Sequence, residues 1–118
     1  MNIKTSSVHP LFFTVAYDCS DSPNPQDGTF LLTDFNGGTF QTACDSDGWT
    51  VIQSRGQFGN PQDYFFRNYA AYEKGFGEPG KEHWLGLKNI HALTSGRQYS
   101  LKVQLWGADD TYKEAHYE

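Results

Sequence analysis

The chain has 118 residues, enough for one compact domain and too few for two. Its 9 Phe, 7 Tyr, 3 Trp and 12 Gly are more rings and turn formers than a helical bundle needs, and point to a β-rich or mixed architecture. The net charge of -5 and the scattered Lys and Arg leave no basic face for a phosphate backbone, which argues against nucleic acid as a partner.

Residues 1–16 read as a leader or degenerate signal segment. Lys4 precedes the apolar run Leu11 to Ala16, and Thr14-Val15-Ala16 resembles a small-x-Ala cleavage site. Six apolar residues fall short of the ~7–15 of a secretory signal core, so an unstructured leader or a misplaced start stands beside that reading. No stretch approaches the ~20 apolar residues of a membrane span.

Cys19 and Cys44 are the chain's two cysteines. A zinc site needs about four ligands, and neither cysteine lies near a CxxC or a paired His. Two readings remain, buried thiols or a disulfide. Between the cysteines, turn formers alternate with β-prone runs at Thr29 to Thr33 and Thr39 to Thr42, a hairpin with little core of its own. Closing a loop of this length would stabilise it by roughly 3.5 kcal/mol, which favours the disulfide.

Gly48 to Gln53 reads as a strand dense in β-branched and aromatic residues, followed by a loop from Gly56 to Asp63. In FRNYAAYEKGFG, Asn68 can cap a short helix and Gly75 and Gly77 can stop it. Phe66, Tyr69, Tyr72 and Phe76 recur at helical spacing and read as a core stripe. After the break at EPGKEH, helical periodicity resumes through Trp84, Leu87, Ile90 and Leu93 and stops at Ser95-Gly96. Tyr99 to Trp106 alternates, with Leu101, Val103 and Leu105 on the expected buried side and Lys102 and Gln104 on the expected wet side. A turn at Gly107 to Asp110 leads into a strand over Lys113 to Tyr117. Strand, helix, helix, strand, strand is an α+β order.

The series DC, CD-x-x-GWTVIQ-x-R, FRN-aromatic-x-x-Y-x-x-GFG, WLGL-x-NIH-x-LT and Y-x-L-x-V resembles the fibrinogen C-terminal domain, shared by ficolins, tachylectins, angiopoietins, tenascins and fibrinogen. The likeness runs from Tyr17 to the last residue, and five unlike motifs occur in the family's order. It implies a Cys19–Cys44 disulfide closing a hairpin subdomain over 17–48, and the start of a central sheet-and-two-helix subdomain over 49–118. Trp49, Tyr72, Phe76, Trp84 and Leu87 are then structural core positions. Departures bear on loop geometry and not on the fold: Ser46-Asp47-Gly48 stands where the family has a glycine run, Ser54 where it has an arginine and Tyr69 where it has a tryptophan, and the Gly56 to Asp63 loop is long.

The resemblance also implies that the calcium site, a second disulfide and the pocket for acetylated sugars or peptide ends belong to the family's carboxyl half. No cofactor or metal ligand is therefore expected within these residues, and the ligand-binding residues are unassigned. Asp45 and Asp47 begin an alternating-oxygen loop, but no bidentate Glu follows at the required position. His83, His91 and His116 form no ligand motif, and no nucleophile elbow, P-loop or GxGxxG occurs. The functional expectation is a secreted, non-enzymatic recognition module. Its partners would be microbial or cell-surface glycans for an innate-immune lectin, or extracellular proteins for a clotting, matrix or growth-factor-like relative, with oligomers possible in either case. A third reading is a truncated fragment without ligand activity.

Overall fold

The computed structural model describes residues 1–5, 16–21, 27–34 and 36–118. Among these residues nine strands form two sheets. In chain order they are β1 (Asn2–Thr5), β2 (Gly28–Thr33), β3 (Thr39–Cys44), β4 (Thr50–Val51), β5 (Gln53–Ser54), β6 (Phe76–Gly77), β7 (His83–Trp84), β8 (Tyr99–Trp106) and β9 (Tyr112–Tyr117). Helices α1 (Tyr69–Lys74) and α2 (Leu87–Thr94) and a 3₁₀ turn at Cys19–Asp21 complete an α+β fold.

The larger sheet runs β2-β3-β4-β1-β8-β9 and the smaller β5-β7-β6, with every pairing antiparallel. The β2–β3 and β8–β9 ribbons are the two expected hairpins. The strand expected from Gly48 to Gln53 is split at Ile52, whose buried side chain turns the chain from one sheet into the other. Ile52 donates its amide to Met1 O at 2.8 Å and accepts from the amide of Leu85 at 3.0 Å, so both sheets are anchored at one residue.

The start of the chain departs from the leader expectation. Asn2–Thr5 is an inner strand, paired with β4 on one side and with β8 on the other. Ile3 is 4% exposed and belongs to the core with Leu32, Phe40, Ile52, Leu85, Leu93 and the disulfide. Sequence periodicity could not reveal this, because four residues are too short to show a strand's alternation. The apolar run from Leu11 to Val15 lies outside the described residues. The large sheet also crosses the boundary expected between the hairpin subdomain and the central one, through the Cys44–Thr50 pair.

Helix α1 forms as its capping residues dictate. The Asn68 side chain accepts from the Ala71 amide at 3.0 Å, and Gly75 ends the helix at φ +97°, donating its amide to Ala71 O. The core stripe does not hold throughout. Tyr72 and Phe76 pack inward, whereas Phe66 and Tyr69 are exposed, because six helical residues complete less than two turns. In α2, Leu93 is buried and Ile90 packs against the core, but Leu87 sits in the first turn and is largely exposed. Trp84 belongs to β7 and not to the helix.

The alternation in β8 holds only in part: Leu101 packs against the core as expected, but two positions depart. Lys102 is 7% exposed while Leu105 is 63% exposed. The Lys102 ammonium lies over Trp49, 4.4 Å from that ring's centroid and 3.9 Å from Asp45 Oδ2. An aromatic face and a carboxylate make this buried charge tolerable where an aliphatic side chain had been expected.

Candidate recognition surface

Four constructions define what this chain can do chemically. The first is covalent: Cys19 and Cys44 form a disulfide with a Cα–Cα separation of 5.6 Å, fastening the 3₁₀ turn to the end of β3.

The second is a buried polar cluster that no sequence motif announced. Asp18, 1% exposed, accepts from Arg97 Nη1 at 2.9 Å and from the Tyr99 hydroxyl at 2.9 Å. Arg97 Nη1 also donates to Asp21 Oδ1 at 2.8 Å, and Asp21 Oδ2 accepts from the Tyr17 amide at 2.7 Å. Burial, reinforced by Asp18, holds the Tyr99 phenol protonated far above its ordinary range. One guanidinium between two carboxylates satisfies charges that burial would otherwise penalise by several kcal/mol per ion. The cluster joins the disulfide loop to the entry of β8.

The third is an aromatic nest around Trp84. Its Nε1 donates to Tyr72 O at 2.7 Å, and the Tyr72 hydroxyl donates to Phe65 O at 2.6 Å. Phe76 packs edge-on against Tyr64, Phe65 and Tyr72, with Arg67 stacked 4.3 Å from its centroid and Arg55 4.5 Å from that of Phe65. With the Trp84 N–H bonded and its ring packed against Tyr72, the nest is structural. Buried Glu82 beside it accepts from Asn60 Nδ2 at 3.2 Å and pairs with Arg55 at 3.6 Å. The neighbouring His83 is buried with Nδ1 lacking a hydrogen-bond partner, and burial pushes its pKa down.

The fourth is the accessible face. A cleft of about 890 Å³ opens between the start of the chain, the 53–57 segment and the β8 end, walled by Val51, Val103, Leu105 and Trp106 with Gln53 and Arg55 at its rim. Next to it the rings of Trp106, 69% exposed, and Tyr112 face each other at 5.2 Å. On the same ribbon the Tyr112 hydroxyl and the His116 ring both engage Glu114, which lowers that carboxyl to about 2. Apolar walls with a few polar edges are suited to binding a surface or chain, and the titratable groups at hand are already bonded to one another.

Of the residues singled out in the sequence, the structure thus joins Cys19 to Cys44 and brings Tyr72, Phe76 and Trp84 together. It sets Trp49 apart under Lys102, with His116 edge-on at 6.0 Å, and leaves Leu87 at the surface. Among the described residues no three His, Cys, Asp or Glu side chains converge to hold a metal ion. The Asp45 carboxylate is spent on the amides of Asp47 and Trp49, as in a turn. The calcium associated with the family therefore finds no fitting donor set within these residues.

A disulfide-tied hairpin merged into an antiparallel sheet with two short helices is the architecture of a fibrinogen-like globe. The family described as fibrinogen beta and gamma chains, C-terminal globular domain, matches residues 28–118, and this chain belongs to it. The chain is 41% identical over 85 residues to techylectin-5A of Tachypleus tridentatus, covering 69% of this chain and 29% of that one. It is 44% identical over 81 residues to angiopoietin-4 of Bos taurus, covering 64% of this chain and 15% of the other. The fibrinogen-like globe domain of human ANGPTL2 superposes with a TM-score of 0.76 at 33% identity, covering 86% of this chain and 50% of that domain. The chain thus spans about half of that solved globe and less than a third of these curated relatives. No helix among the described residues is long and apolar enough to cross a membrane.

Proposed function

We propose that this chain is the disulfide-hairpin and central-sheet part of an extracellular, non-enzymatic recognition module of the lectin type, directed at acetylated surface sugars. The observation that carries the reading is the 41% identity to techylectin-5A, a protein whose name marks it as a lectin, over two-thirds of this chain. The disulfide suits an oxidising compartment. Asp18, Asp21, Arg97 and Glu82 are engaged in holding the fold, which supports a reading in which acetyl recognition and calcium belong to the family's carboxyl half. The angiopoietin-4 likeness and the ANGPTL2 globe favour a second reading, in which the same scaffold presents a protein-binding face.

The two readings separate on a resin. The longest natural product containing residues 1–118 is passed over immobilised N-acetylglucosamine. Retention that is reversed by free N-acetylglucosamine and not by glucose supports the lectin reading. Flow-through of correctly disulfide-bonded product overturns it in favour of protein recognition.

A further inference from the structure

Among the described residues β2 is one end of the larger sheet, and the phase of its hydrogen bonds tells which of its groups face outward. Asp34 donates its amide across the hairpin to Gly38 O at 2.8 Å, whereas Thr33 donates away from β3, to Ala16 O at 2.8 Å. Backbone groups alternate sides along a strand, so Phe30 and Leu32 bond inward to β3 while Thr29 and Leu31 point outward. Among the described residues nothing bonds to the outward N–H or C=O of Thr29 and Leu31. Protein edges are ordinarily blunted by charge, proline or a bulge. Gly28–Thr33 has none of these: GTFLLT is uncharged, lacks proline and keeps unbroken register with β3. Phe30 is 41% and Leu31 59% exposed, on opposite faces of the strand.

We propose that the outer edge of β2 is a self-association surface whose occupant is a second copy of this chain, paired antiparallel through Thr29–Leu31 about a twofold axis at Phe30. In that register Thr29 of each copy stands opposite Leu31 of the other, and each pair exchanges both N–H···O bonds, so every outward group of the two residues is used. An axis at Leu31 would instead set Thr29 opposite Thr33, whose N–H Ala16 already holds. The Phe30 rings meet across the axis as a non-hydrogen-bonded pair, the closer kind of cross-strand neighbour. No charged residue lies within the ladder, so two chains of net charge -5 can approach there. A twofold contact closes on itself and yields a dimer, which joins two modules and raises their avidity for a multivalent partner. The inference is independent of whether the module binds sugars or proteins.

The test uses the longest natural product containing residues 1–118, with its disulfide intact, and its Leu31→Lys variant. Sedimentation from micromolar to near-millimolar protein reports the oligomer, and amide hydrogen exchange resolved by residue reports the edge. The expected result is a monomer–dimer equilibrium in which the Thr29 and Leu31 amides gain protection as the dimer fills, while those of Phe30 and Leu32, bonded to β3, are protected at every concentration. Leu31→Lys puts like charges on one face about 7–8 Å apart diagonally across the axis, and should weaken the dimer about tenfold while leaving the Phe30 and Leu32 amides protected. A monomer throughout the range overturns the proposal. So does a dimer whose Thr29 and Leu31 amides exchange freely, which would lie on another face, and so does protection of those amides that is independent of concentration, which would mean that the chain covers its own edge. Should Leu31→Lys fail to fold, the concentration dependence of exchange in the wild type decides between the same outcomes.

Discussion

Arg97 spans 79 positions of sequence to place Nη1 2.9 Å from Asp18 Oδ2, so the loop closed by the disulfide is tied by charge to the start of β8. Removing the guanidinium strands two buried carboxylates. Arg97→Ala is therefore expected to cost about 3–5 kcal/mol, the range for breaking a buried ion pair by removing one partner. Urea denaturation followed by tryptophan fluorescence measures it. A loss below about 1 kcal/mol would mean that water replaces the arginine at no real cost.

The disulfide should contribute independently. Cys19→Ala with Cys44→Ala releases a loop of sequence separation 25, and the chain-entropy estimate is a loss of roughly 3.5 kcal/mol. Native protein should resist thiol alkylation and weigh about 2 Da less than its reduced form. Two freely alkylated thiols would contradict the bond.

These two restraints also mark how far the sequence could be read. The disulfide loop, the Thr29–Thr33 and Thr39–Thr42 runs, the Asn68 cap and the α2 position of Leu93 all rest on local spacing, and the structure realises them. The Asp18–Asp21–Arg97–Tyr99 cluster was invisible, because its partners are separated by most of the chain and each residue alone looks like a surface polar group. Lys102 misled for a related reason. Alternation reports which residues are apolar, not which face a neighbour such as Trp49 will cover. The inner position of β1 was hidden because a strand's place in a sheet is set by pairing across sequence, and residues 2–5 carry no sign of their partners at 50–51 and 99–102.

Acid should loosen the smaller sheet through His83. Burial depresses its folded-state pKa below the ordinary value of about 6.5, so the unfolded chain takes up the proton first. Stability contributed by the neutral ring is present above about pH 6.5 and declines as pH falls through that value toward the folded pKa. His83→Phe should remove this component. Melting temperatures of the two proteins compared from pH 8 to pH 5 should converge as the pH drops, with the wild type losing more. Parallel curves would show that His83 is not protonated on unfolding in this range.

Gly77 tests the packing of the same sheet. Its φ is +87°, and a Cβ there would lie 2.2 Å from Glu82 O and 2.9 Å from His83 Cα, both backbone atoms that cannot swing aside. Gly77→Ala should cost on the order of 1–3 kcal/mol from the left-handed conformation alone, and more from the collision. Gly59, at φ +93° with open space around its Cβ position, is the control, since Gly59→Ala meets only the conformational term. Equal losses at the two sites would refute the close approach of β6 to β7.

Ligand response separates this scaffold from a finished binding module. Any ligand that binds only the folded state raises its melting temperature by mass action, by an amount set by its concentration relative to Kd. Within the described residues the candidate oxygens are committed: Asp45 to the amides of its own turn, Asp18 and Asp21 to Arg97, and Glu82 to Asn60 and Arg55. Trp84 has its N–H bonded and its ring packed, whereas Trp106 lies exposed beside Tyr112. Calcium is therefore expected to leave the melting temperature of residues 1–118 unchanged, because a cation needs six or more oxygens arranged around it. N-acetylglucosamine is expected to leave it unchanged as well, because the cleft beside Trp106 offers mostly apolar walls and few polar edges to a sugar's hydroxyls. A saturable rise with N-acetylglucosamine that disappears in Trp106→Ala would place the sugar site on β8 and β9 and move it out of the remainder of the domain.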